Sequence, residues 1–198
     1  MFEIEKNFNA TKEQEEKLLR GAEFLGTKVF TDVYYDNKTY DITRQDIWLR
    51  SREGKFEAKV SIGENPGVGD RYNEIENDEE IKKLLHMESS GDLKELLEIN
   101  NYTPFCVCKT ARKKYKKEGF NIDIDAAEFK DGFKFEQMEV ELMVEDESKA
   151  EEAAQKIVNF AKPYGLQEVN TGKISSYLKS KRPEHYKVLA DLGFWPEK

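Results

Sequence analysis

Apolar and charged residues alternate through much of this chain with a period of two. Glu3 and Glu5, Arg50 and Arg52, Glu57 and Lys59, Glu74 and Glu76, Asp123 and Asp125, and Glu139 and Glu141 each sit two positions apart. Between or beside them lie Phe2 and Ile4, Leu49, Phe56 and Ala58, Ile75, Ile122 and Ile124, and Met138, Val140 and Leu142. Side chains two apart on a strand share a face, so each segment has one apolar and one ionised side. An antiparallel sheet with one wet surface accounts for the alternation. It does not account for segregation by sign: whole faces carry only carboxylates (3/5, 74/76, 123/125, 139/141), and another carries only guanidinium groups (50/52). Like charges side by side repel, and a ligand of opposite sign relieves them. A divalent cation suits the carboxylates and a polyphosphate suits the arginines.

The same reading predicts strands over 2–8, 28–35, 47–52, 55–62, 71–76, 104–115, 120–129 and 133–144. Thr11 opens a helix, with Gln14 at capping-box spacing; its stripe is Leu18, Leu19, Ala22 and Leu25, and Gly26 ends it. Further helices start near Asp78, carrying Ile81, Leu84 and Leu85, and after the Ser89–Asp92 run, carrying Leu93, Leu96 and Leu97. A helix over 148–162 turns Ala153, Ala154, Ile157, Val158 and Phe160 inward, and Pro163 and Gly165 close it. A last helix spans 173–192, with Arg182-Pro183 permitting a turn or a second helix start. Gly54 marks a tight turn. The glycine-rich stretch 63–70 is a longer connection without the GxxxxGK[ST] spacing of a phosphate loop.

About eight strands with clustered helices predict an α+β fold: a closed eight-stranded antiparallel β-barrel braced by helices. Small barrels normally fill with apolar side chains. One lined by charge stays partly open and wet, with its apolar outer face covered by helices, and is therefore a tunnel.

Composition narrows the function. A chain of 198 residues suits one domain, taken as 1–198, and its twelve Phe and nine Tyr can fill a core. The net charge of −8 argues against binding a long nucleic acid but leaves room for a small phosphorylated ligand in a local basic pocket. No apolar run approaches the roughly 20 residues of a membrane span, and the opening residues lack the features of a signal peptide, so a cytoplasmic location is expected. Cys106 and Cys108 are read as reduced thiols, with too few partners for a disulfide framework or a zinc site.

The residues that carry these patterns resemble the CYTH superfamily of triphosphate tunnel enzymes, and within it the animal thiamine triphosphatases. The likeness runs in order through Glu3-Ile-Glu5, Asp32-Val-Tyr-Tyr-Asp36, Asp46-Ile-Trp-Leu-Arg-Ser-Arg-Glu53, Phe56-Glu-Ala-Lys59 and Asn73-Glu-Ile-Glu76. It continues through Thr110-Ala-Arg112, Ile122-Asp-Ile-Asp125, Ala127-Glu-Phe129, Met138-Glu-Val-Glu141, Gly172-Lys173 and the segment Tyr177 to Tyr186 with its Arg182-Pro183. The Tyr-Tyr-Asp, Trp-Leu-Arg-x-Arg and Arg-Pro-x-x-Tyr runs are the specific parts.

The resemblance implies a hydrolase removing the terminal phosphate of thiamine triphosphate, with inorganic triphosphate as the alternative substrate and adenylyl cyclisation or non-catalytic polyphosphate binding as remoter ones. It implies phosphate binding by Arg50, Arg52, Lys59, Arg112 and Lys173, and a metal, Mg²⁺ or Mn²⁺, on Glu3, Glu5, Asp123, Glu139 and Glu141. Glu76 and Asp125 stand behind these. Tyr34 and Lys59 match a pair proposed to activate water, and arginines flanking Lys59 are expected to lower its proton affinity. Trp48 shares the face of Arg50 and Arg52; its position alone fits either a core Trp or a cavity wall, and the resemblance implies stacking on the organic part of the substrate. The expected partner is the small-molecule triphosphate, with no nucleic acid, no membrane, and a monomeric state.

One departure stands out. The family opens on ExExK, and Asn7 occupies the lysine position here. Lys6 is adjacent but has the wrong parity for the tunnel unless a bulge re-aims it. His86 and His185 read as isolated and solvent-facing, and Lys113, Lys114, Lys116 and Lys117 as a solvated strand end able to gather anions. The acid-rich helices near 78–98 and 145–152 read as solvated faces.

Overall fold

A computed structural model describes residues 2–61, 71–87 and 90–195. The glycine-rich connection read at 63–70 and the Ser89 position lie outside these. The elements are β1 (Phe2–Asn9), α1 (Lys12–Leu19), β2 (Glu23–Asp36), β3 (Ile47–Arg52), β4 (Lys55–Ser61), β5 (Arg71–Ile75), α2 (Asp78–Leu84) and α3 (Leu93–Ile99). They continue with β6 (Thr103–Lys117), β7 (Phe120–Phe129), β8 (Lys134–Val144), α4 (Ala150–Ala161), β9 (Gln167–Val169), α5 (Lys173–Lys181) and α6 (Pro183–Asp191).

All strand pairings are antiparallel, in the order β5-β4-β3-β2-β6-β7-β8-β1-β9. β1 also pairs with β5 through Glu3↔Tyr72 and Ile4↔Arg71, which closes eight strands into a ring. Period-two alternation in a closed ring leaves one face of every strand inside and the other outside. Here the apolar face is outside. Ile4, Phe8, Ile122, Met138 and Val140 pack under α4 through Ala153, Ile157 and Phe160, while Leu49, Phe56 and Ala58 pack under α2 and α3 through Ile81, Leu93 and Leu97.

The interior is charged over most of its length but not throughout. Where the end of β2, the start of β6 and the end of β7 meet, the inward residues Tyr34, Cys106, Cys108, Ala127 and Phe129 form an apolar cluster with Tyr177, Leu178, Leu189 and Phe194. Phe129 and Tyr177 stack at 4.4 Å and 5°. That stretch is filled, and both cysteines are free and buried within it.

Two local expectations change. The first helix stops at Leu19 instead of running to Leu25, because Glu23 onward pairs with β6 from Glu23↔Lys116 to Asp36↔Thr103. Gly21, at φ +76, makes the turn that only a residue without Cβ adopts freely, and Lys117 Nζ donates to the Leu18 and Arg20 carbonyls at 2.7 and 3.0 Å. Leu25 falls at a register shift in β2 and is half exposed. The short strand β9, absent from the sequence reading, adds to the edge of β1 that β5 leaves uncovered. The final helix does restart at Pro183, giving α5 and α6. The Thr11 capping box forms as expected.

Candidate active site

The inward faces enclose a cavity of about 540 Å³. Glu3, Glu5, Tyr34, Trp48, Arg50, Arg52, Lys59, Arg112, Glu139, Glu141 and Lys173 all line it, as does Glu76. Asp123 sits behind this lining, fully buried, and Asp125 lies behind Arg112.

The ionised groups fall into two networks. Arg112 from β6 is the centre of the first: its guanidinium lies 2.7 Å from Asp123, 2.7 Å from Asp125 and 2.6 Å from Glu139. Asp125 receives two parallel hydrogen bonds from it, the fork geometry that fixes a guanidinium in one plane. Lys59 from β4 lies 3.1 Å from Glu3, 3.5 Å from Glu5 and 3.1 Å from Glu74. In the second network Arg52 donates twice to Asp32, Lys173 is 3.6 Å from the same carboxylate, and Arg50 is 2.6 Å from Glu57. Phe30 forms a platform for three of these cations, 4.0 Å below Arg52 and 5.8 Å from both Arg112 and Lys173.

Carboxylate oxygens converge in two groups, Glu3–Glu5–Glu141 and Asp123–Glu139–Glu141, each within 4.8 Å and sharing Glu141. Burial, with Lys59 partly offsetting it and Glu139 and Glu3 adding to it, pushes the Glu5 pKa up to about 8; burial and the carboxylates of Glu3, Asp123 and Glu139 push Glu141 to about 8. Burial likewise raises Glu139 and Asp123. Both Asp123 oxygens are buried without a hydrogen bond, although Arg112 and Lys114 stand within ion-pair distance. This is an all-oxygen donor set short of positive charge, which fits a hard divalent cation such as Mg²⁺. In the second network the balance runs the other way. Burial works to raise the Asp32 pKa, but the Arg52 hydrogen bond and the charges of Arg50 and Lys173 more than offset it.

Lys59 corrects an expectation. Arg50 does work to lower its proton affinity, but Glu5, Glu3 and Glu74 are its contact partners, and they overcome both Arg50 and burial to hold its pKa well above the ordinary lysine value. Burial also raises the Tyr34 pKa, so this phenol keeps its proton. The two line one cavity in different company: Tyr34 sits beside Arg50 and Lys173, and Lys59 among carboxylates. His185 is a second correction, since it is buried while His86 is exposed. Asn7 lies in the cavity opposite Glu139, with its Oδ1 buried and unpaired. Lys6 is buried and turned to Glu168 of β9, at 2.8 Å.

Sequence reasoning gave Asp32, Phe30 and Trp195 no role. The first two had a signal, because Phe30, Asp32 and Tyr34 share one strand face. Trp195 had none, since it follows a helix in irregular chain.

A profile of the CYTH domain matches residues 1–173. The PH1819 protein from Pyrococcus horikoshii OT3 superposes with a TM-score of 0.65 at 22% identity, over 90% of this chain and 99% of its own. A Vibrio parahaemolyticus protein described as a candidate adenylate cyclase gives 0.57 at 18% identity, over 90% and 98%. A Hippeastrum protein described as a candidate adenylyl cyclase with a dominant triphosphatase activity gives 0.56 at 16% identity, over 91% and 96%. At these identities the likeness is one of fold. No curated protein matches the chain in sequence.

Proposed function

The chain belongs to the CYTH domain family, and from that premise we propose that it is a Mg²⁺-dependent hydrolase that removes the terminal phosphate of thiamine triphosphate, giving thiamine diphosphate and phosphate. The observation that carries this reading is a single cavity with convergent carboxylates on one side, guanidinium and ammonium groups on the other, and Trp48 beside the cations. The triphosphatase activity described for the Hippeastrum protein of similar fold is consistent with it.

Glu3, Glu5, Asp123, Glu139 and Glu141 hold the metal, with Mn²⁺ as a substitute. Bound there, it supplies charge neutralisation at the terminal phosphoryl group. Arg50, Arg52, Arg112 and Lys173 take the phosphate oxygens. Asp32 and Asp125 hold two of those guanidinium groups in position before substrate arrives, so little reorganisation is needed when charge spreads over the oxygens during transfer. Lys59 and Tyr34, both protonated, serve as positioned donors to the phosphate chain or the attacking water. Trp48 stacks on the organic end, its indole N–H fixed by a 2.9 Å hydrogen bond to Asp46.

The test is phosphate release from thiamine triphosphate, inorganic triphosphate and ATP, each with Mg²⁺, Mn²⁺ and Ca²⁺. Equal or faster release from inorganic triphosphate or ATP removes the thiamine assignment. Asn7 in the lysine position favours a second reading, hydrolysis of inorganic triphosphate itself. On that reading Trp48→Ala keeps full activity, and a large loss counts against it. Cyclic AMP formed from ATP in the same assay points to cyclisation instead.

A further inference from the structure

The apolar part of the cavity lining is concentrated in one corner, formed by Trp48 of β3, Ile174 of α5 and Trp195 from the chain beyond α6. The two indole rings lie 6.3 Å apart at 37°. Trp195 is backed by Tyr186, stacked at 5.1 Å and 14°, so one face is covered and the ring cannot recede. Both indoles are only partly buried. Gly193 at φ +92 and Trp195 at φ +50 turn the chain back from the end of α6 toward the cavity. The left-handed region is unfavourable for a bulky side chain, and such a cost persists where the surrounding contacts over-determine the position.

The same loop that fixes Trp48 anchors α6, the helix that precedes Trp195. Thr43 Oγ1 donates to Asp36 Oδ2 at 2.6 Å, which uses its only proton. His185 Nε2, 2.8 Å from that oxygen, must therefore be the donor, and its ring stacks on Tyr40 at 3.9 Å and 7°. Burial pushes the His185 pKa down to about 4, so it is neutral and stays docked. Asp46, which holds the Trp48 N–H, lies three residues past Thr43. Both walls of the corner are thus referred to one loop, residues 37–46.

We propose that Trp195 is a specificity-determining residue: with Trp48 it forms an aromatic corner that takes a flat heteroaromatic ring attached to the triphosphate and selects such esters over inorganic triphosphate. This rests on the triphosphate-hydrolase reading of the cavity. Asp46 beside Trp48 adds negative potential to that wall, which favours a cationic ring.

Steady-state kinetics with Mg²⁺ on thiamine triphosphate, ATP and inorganic triphosphate test it in Trp195→Ala, Trp195→Leu and Trp195→Phe. The ratio of kcat/KM for thiamine triphosphate over inorganic triphosphate is expected to fall about tenfold in the Ala and Leu variants, mainly through KM, and to recover in Phe. Leu keeps apolar packing, so it decides the matter if Ala fails to fold. A ratio within about twofold of the unmodified protein, or a common fall for all substrates that Phe does not rescue, overturns the proposal. If the unmodified protein ignores thiamine triphosphate, the function proposed above fails but the corner does not. The ratio is then read for ATP over inorganic triphosphate, where dependence on Trp195 upholds it and independence overturns it. No turnover of any organic triphosphate overturns it as well.

Discussion

The ring divides into two contiguous halves of opposite character. In β7-β8-β1-β5 the ion-pair network contains seven carboxylates, Asp123, Asp125, Glu139, Glu141, Glu3, Glu5 and Glu74, and the described cations facing them all come from the other half, as Lys59, Arg112 and Lys114. In β6-β2-β3-β4, Arg50 and Arg52, joined by Lys173, share Asp32 and Glu57. Lys59 and Arg112 stand on the two strands that border the acidic half, β4 beside β5 and β6 beside β7. The seams are thus neutralised by protein, and the middle of the acidic half is not. Glu5 and Glu141, both pushed to about 8, mark where the charge is missing. The basic half is close to balance and pre-arranged, while the acidic half is short of charge that only a proton or a metal can supply.

Removing a member of each half should separate their roles. Glu141→Gln deletes the carboxylate common to both groups and is expected to lower kcat with Mg²⁺ on the order of a thousandfold, while triphosphate still binds. A loss under about tenfold would mean the shared carboxylate is not a ligand. Arg52→Met should instead raise KM for every triphosphate tested, by about 10- to 100-fold, as the loss of a charge-assisted contact of about 1.5–3 kcal/mol requires. A pure kcat defect there would break the division of labour.

Stability against pH sharpens the contrast. In metal-free protein Glu5 and Glu141 bind protons more tightly folded than unfolded, where a carboxylate titrates near 4.3. Their contribution is complete below the unfolded value and is lost as pH rises through about 8. The Tm of metal-free protein should therefore fall by about 5 °C between roughly pH 6 and 8.5, and saturating Mg²⁺ should flatten that slope. A Tm that rises across this window contradicts the charge deficit. Asp32 behaves oppositely, since its lowered pKa gives stability that is present above the unfolded value and lost in acid, so Asp32→Asn should flatten only the acid limb.

The smallest effect is expected at Asn7. Its register partner is Glu139 and its Oδ1 is unpaired, so a lysine there would meet a carboxylate and reach the cavity. Asn7→Lys should lower KM for inorganic triphosphate by about two- to fivefold. An increase would show that the asparagine is the better fit.

Much of the site was legible because strand parity is local. Glu3 and Glu5, Arg50 and Arg52, and Glu139 and Glu141 declare a common face by spacing alone, and all six line the cavity. The helix boundary at Leu19 was not legible, since the stripe through Leu25 satisfies helical periodicity and only the long ladder with β6 draws those residues into β2. Lys59 was misjudged because its arginine neighbours are close in sequence, whereas Glu3, Glu5 and Glu74 reach it across the ring. His185 looked isolated because Thr43 and Tyr40 are distant along the chain.

The sequence by itself determined which charged side chains share a strand face, and that carboxylate-only faces and a guanidinium-only face lie on different strands, because the pleat repeats every two residues whatever surrounds it. Only the tertiary structure decided which charges meet, where carboxylates outnumber the cations facing them, and that Trp195 comes to stand beside Trp48. Those outcomes follow from ring closure and from α5 and α6 folding back, and electrostatic and stacking energies depend on separation in space, not along the chain.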